Sequence, residues 1–80
     1  MKLRKKPVII EANQYTHPAI APVGSSFEKT PNGYLCIHDK DGIWLCYVYL
    51  GEWVCTDDGE NYYVLSDAYI KEHFEVVNDA

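Results

Sequence analysis

Gly33-Tyr34-Leu35-Cys36-Ile37-His38-Asp39-Lys40-Asp41-Gly42-Ile43-Trp44-Leu45-Cys46-Tyr47-Val48-Tyr49-Leu50 is the stretch that decides the fold. Two runs rich in aromatic and β-branched residues flank Asp39-Lys40-Asp41-Gly42, where Gly42 can take the positive φ of a tight turn. The segment therefore predicts a β-hairpin. Toward the C-terminus, Gly51 breaks the run and Glu52-Trp53-Val54-Cys55-Thr56 reads as a third strand. Asp57-Asp58-Gly59-Glu60 is a second turn, and Asn61-Tyr62-Tyr63-Val64-Leu65 a fourth strand. Two consecutive hairpins, both turning on Asp-Gly, predict a meander.

Beyond the meander, Ser66 is placed to cap a short helix over Asp67 to His73, with Asp67 in its first turn. Ile70 and Phe74 face the sheet, while Lys71, Glu72 and Glu75 face water. Phe74 to Val77 reads as a closing strand and Asn78 to Ala80 as a tail. On the N-terminal side, Thr16 to Asn32 holds Pro18, Pro22 and Pro31, which speak against a long helix. It is expected as an irregular loop pinned by Ala19, Ile20, Val23 and Phe27. Val8 to Tyr15 reads as a strand with Pro7 at its entry, and Met1 to Lys6 as a flexible basic start. The expected fold is α+β, mostly β: one small curled antiparallel sheet, with one short C-terminal helix, in a single domain.

Eighty residues at a formal charge of −5 leave room for one core. Large two-domain enzymes, dinucleotide-binding folds and multi-repeat solenoids are excluded. No apolar run approaches the ~20 residues that span a bilayer, and the basic start lacks the apolar stretch of a signal peptide. Three cysteines, an odd number, argue against a disulfide framework and suit a reducing cytoplasm. The charge is also unevenly spread. Lys2, Arg4, Lys5 and Lys6 stand at the start, and from Pro7 onward three basic residues face twelve acidic ones, a formal −9. Such a body repels nucleic-acid phosphates.

Catalytic and metal chemistry find little footing. Cys36 and His38 share a strand face, but the closely spaced ligand pairs of a zinc site are absent. Cys46 and Cys55 sit in apolar strands, where a thiol behaves as a small buried hydrophobe. Cys36 has neither a helix N-terminus nor a neighbouring cation to activate it. The Asp39/Asp41 and Asp57/Asp58 pairs read as turn formers. No cofactor, metal or catalytic residue is expected.

Aromatic residues are dense, and large amphipathic rings are common hot spots of protein interfaces. In Ile43 to Leu50, strict alternation puts Tyr47 and Tyr49 with Ile43 and Leu45, and Trp44 with Cys46, Val48 and Leu50 on the other face. Both faces are apolar, more than one short helix covers. The candidate contact residues are Trp44, Tyr47, Tyr49, Trp53, Asp57, Asp58 and Glu60.

The start Lys2-Leu3-Arg4-Lys5-Lys6-Pro7-Val8-Ile9-Ile10-Glu11-Ala12-Asn13-Gln14-Tyr15-Thr16 resembles that of a family of small, mostly uncharacterised phage and prophage proteins. Gly51-Glu52-Trp53-Val54, Gly59-Glu60, Tyr62-Tyr63 and Tyr69 to Glu75 are similar to the family's second half. The chain departs from it where the family has an amphipathic helix and this sequence has Thr16 to Asn32. The resemblance implies phage origin and expression in a bacterial cytoplasm, and brings no catalytic residues. The expected function is a non-enzymatic accessory protein that inhibits a bacterial host or immune-defence protein with a basic or apolar groove. No membrane or direct nucleic-acid partner is expected. The alternatives are a small structural or assembly protein, as homo-oligomer or virion component, or a module that sequesters a nucleotide signal.

Overall fold

A computed structural model describes residues 2–5, 8–28 and 33–76. Pro7, residues 29–32 and the 77–80 end, which the sequence reading assigned to a strand entry, a loop, a strand end and a tail, lie outside the described residues. The chain is α+β and mostly β, with antiparallel sheets and a short C-terminal helix. Strands β1 (Lys2–Lys5), β2 (Val8–Gln14), β3 (Ser26–Phe27), β4 (Leu35–His38), β5 (Trp44–Tyr47), β6 (Trp53–Thr56) and β7 (Tyr62–Leu65) precede helix α1 (Asp67–His73) and strand β8 (Glu75–Val76).

The strands expected in one curled sheet divide into two: a five-stranded sheet ordered β7-β6-β2-β1-β8, and a three-stranded sheet ordered β3-β4-β5. Both hairpins form, yet β5 does not pair with β6. A strand has two edges, and those of β6 are taken by β7 and β2. The β2 ladder continues past Gln14 into the turn between β5 and β6, where Tyr15 N donates to Glu52 O at 2.9 Å and Gly51 N to Tyr15 O at 2.7 Å. That turn carries the chain from one sheet to the other, with Gly51 at φ +94°.

Lys2–Lys5, expected as a loose start, is a strand paired with β2 on one side and β8 on the other. Leu3 explains it: opposite Ile10 and Val76, it is almost wholly buried, worth about 1.5–3 kcal/mol for a side chain of this size. Lys2 stands across from Glu11, with 3.9 Å between their charged atoms.

Two cores back onto the five-stranded sheet. On one face α1 brings Ile70 and Phe74 against Leu3, Ile10, Ala12, Trp53, Cys55, Tyr63 and Leu65. On the other, the three-stranded sheet brings Leu35, Ile37, Cys46, Val48 and Phe27 against Tyr15, Val54, Tyr62 and Val64. Successive side chains of a strand point to opposite faces, so β6 contributes to both cores and all four of its residues are buried. Ser66 caps α1, its hydroxyl accepting from Tyr69 N at 3.1 Å, and Ile70 is buried as the sequence implied. The loop 16–28 is largely irregular and adds β3 to β4. Its anchors are Phe27, Ala21 and Pro22. Ile20 and Val23, expected to pin it, point outward at 64% and 68% exposure.

Candidate aromatic interface

The outer face of the three-stranded sheet, turned away from the core, carries the aromatic surface. Tyr34, Cys36 and His38 alternate with the core residues Leu35 and Ile37, and Cys36 stands opposite Tyr47. Between Ile37 and His38 the register shifts: Ile37 pairs with Cys46 but His38 with Trp44, leaving Leu45 as the extra residue. A bulge of this kind re-aims the side chains beside it. Strict alternation would separate Trp44 from Tyr47. The bulge instead brings their rings together, with centroids 5.1 Å apart and planes at 72°. Tyr34 meets Tyr47 from the other side at 5.6 Å and 60°. The three rings form one row with Tyr47 at its centre, each pair in the edge-to-face geometry that aromatic quadrupoles favour.

The row is open to solvent: Tyr34 is 53% and Trp44 47% exposed. Glu28, just beyond β3, donates from its backbone N to Tyr34 O at 2.8 Å, and its carboxylate, together with partial burial, holds the Tyr47 phenol above its ordinary pKa. Burial pushes the Cys36 thiol up, and the charge of Glu28 adds to it. Tyr34 also lines a shallow groove of about 320 Å³ with Tyr15, Pro18, Val48, Tyr49 and Leu50. The row and groove adjoin β5, which pairs only with β4 among the described residues.

The other candidates lie elsewhere. Trp53 is a core residue, 8% exposed, its indole Nε1 donating to Asp67 Oδ1 at 3.0 Å. This corrects its assignment as a surface contact: a central strand covered on both faces leaves no side chain outside. Asp57, Asp58 and Glu60 occupy the β6–β7 turn, in the sheet that does not carry the aromatic row. Asp58 organises that turn, accepting from Glu60 N and Asn61 N at 2.8 Å each and from Thr56 Oγ1 at 3.2 Å. These bonds hold its carboxyl far below the usual carboxylate range. Asp57 accepts from the Tyr63 hydroxyl at 2.7 Å. Asp39 does the equivalent work in the β4–β5 turn, accepting from Asp41 N and Ile43 N at 2.9 Å.

No protein family, curated protein or solved structure matches the chain. Among the described residues no three His, Cys, Asp or Glu side chains gather as a metal-ligand set, and no helix is long and apolar enough to cross a membrane. Cys36, Cys46 and Cys55 are free thiols, each with its pKa raised, chiefly by burial. Tyr34 is the exposed ring of the row that sequence reasoning missed. Its place two residues before Cys36, on the same strand face and diagonal to Tyr47, was the available signal.

Proposed function

We propose that this chain is a non-enzymatic, phage-encoded accessory protein that inhibits a bacterial host or defence protein by binding it. The observation that carries this reading is the exposed Tyr34–Tyr47–Trp44 row beside the Glu28 carboxylate. Aromatic side chains held by packing on a sheet face make large contacts at low entropic cost. The −9 charge of the chain beyond residue 6 favours a partner with a basic surface. The phage assignment, and with it a bacterial cytoplasm as the place of action, rests on the resemblance of residues 2–16. Trp44, Tyr47 and Tyr49 stay in the interface, Tyr34 joins them, and Trp53 leaves.

The test is a comparison of wild type with Trp44→Ala and Tyr47→Ala in capture from bacterial lysate, followed by titration of the purified target. A target held with saturable affinity by the wild type, and at least tenfold more weakly by both variants, is expected. Equal capture by all three proteins overturns the reading.

A second reading, assembly into a homo-oligomer, is favoured by β5. Ile43 to Gly51 carries no charge, and an edge strand without charges is open to pairing with another strand. Light scattering across a concentration series distinguishes the two: a stable dimer or larger assembly of the purified protein favours assembly, a monomer the inhibitor.

A further inference from the structure

Resting on the binding reading above, we infer that the Tyr34–Tyr47–Trp44 row and the Glu28 carboxylate receive an arginine side chain of the partner protein. The row offers ring faces and edges at steep angles to one another, 60° and 72°, with the two outer rings about half exposed. A flat cation can lie against such a face and gain from the ring quadrupole. Apolar matter alone would fit a purely aromatic patch, but Glu28 stands at its rim, its backbone N donating to Tyr34 O at 2.8 Å. A carboxylate held there disfavours an apolar occupant, which would strip its water and return nothing.

The surroundings have the same sign. Between Gly33 and Trp53 the chain has one cation, Lys40, against Asp39, Asp41 and Glu52. A guanidinium fits this set better than an ammonium. It is planar and weakly hydrated, it stacks on aromatic faces, and its fork of donors can bond a carboxylate while its plane rests on a ring. The sheet supplies rigidity: Tyr47 is held opposite Cys36, Trp44 is fixed beside the bulge, and Glu28 follows directly on β3.

Titration of the protein with N-acetyl-arginine amide, followed by NMR, tests this. Saturable shifts are expected at the Trp44 indole and at the rings of Tyr34 and Tyr47. The uncharged N-acetyl-citrulline amide should leave them unmoved. Trp44→Ala should abolish the response, and Trp44→Phe, which keeps a ring face, should restore most of it. Glu28→Gln should weaken it severalfold. Thermal melting of each variant checks the fold. Equal shifts with citrulline, or shifts centred on the Asp57–Glu60 turn, overturn the inference. A partner captured by wild type and lost in Trp44→Ala, with no response to the arginine amide, overturns the arginine site and leaves the binding reading standing. Arginine-specific shifts without any captured partner do the reverse.

Discussion

Asp67 shows how one side chain ties distant parts of the chain together. Its Oδ1 accepts from Trp53 Nε1 at 3.0 Å and Gln14 Nε2 at 3.2 Å, and its Oδ2 lies 3.0 Å from Lys71 Nζ. The indole first, then Lys71, hold its carboxyl below the ordinary range. A carboxyl depressed in the folded state stabilises the fold above the unfolded value of about 4. That contribution is lost as pH falls toward the folded value. Urea midpoints measured from pH 6 down to pH 2 should therefore fall below about pH 4, and Asp67→Asn should make that fall smaller, Asp58 keeping its own share. Trp53→Phe removes the indole donor and should lower the midpoint at pH 7. Cys55 acts at the alkaline end. Burial pushes its thiol up from 9.0 to about 11, so the unfolded chain ionises first and stability falls between those values. The slope should be shallower in Cys55→Ala, the raised Cys36 and Cys46 thiols keeping the remainder. Of the glycines, Gly24 has the least room: at φ +92°, a Cβ there would run into the Tyr62 ring. Gly24→Ala should cost more than about 1 kcal/mol in chemical denaturation. It should exceed Gly59→Ala, where a Cβ meets open space.

At the scale of elements, β1 is the sharpest departure from what the residues alone suggest. A lone leucine among four cations reads as a terminus in water, yet Leu3 completes the helix-side core. Leu3→Ala should cost about 2–4 kcal/mol by urea denaturation, a loss that a frayed start could not produce. What was legible is local chemistry. Asp39 and Asp58 close their turns through their own carboxylates, Gly42 and Gly59 take positive φ, and Ser66 caps α1. Each of these depends on neighbours a few residues away. The division into two sheets, the β1–β8 pairing and the Leu45 bulge depend on partners far along the chain, and composition and alternation do not encode them. The aromatic surface was partly legible for the same reason. Trp44, Tyr47 and Tyr49 could be read as a strand with two apolar faces. Which of them meet was set by the bulge, and the burial of Trp53 by strands arriving on both sides of β6.

For the whole molecule, the charge argument carries a measurable consequence. An acidic body that meets a basic partner is drawn to it over distances that salt shortens, with a screening length of about 10 Å at 0.1 M. The association rate with the captured target should fall severalfold between about 50 and 500 mM salt, while the dissociation rate, set by the aromatic contacts, should change little. Stopped-flow or surface binding kinetics separate the two. The pairing of Leu3 with Val76 and Arg4 with Glu75 has a further consequence, in the order of synthesis. As the chain leaves the ribosome, β1 emerges first and can pair with β2 at once. The Leu3 side chain, however, waits uncovered until α1 and β8 have followed it more than sixty residues later. The helix-side core closes last, whereas the three-stranded sheet has all its strands as soon as β5 is made. The half of the protein bearing the aromatic row is thus the half that a growing chain can assemble early.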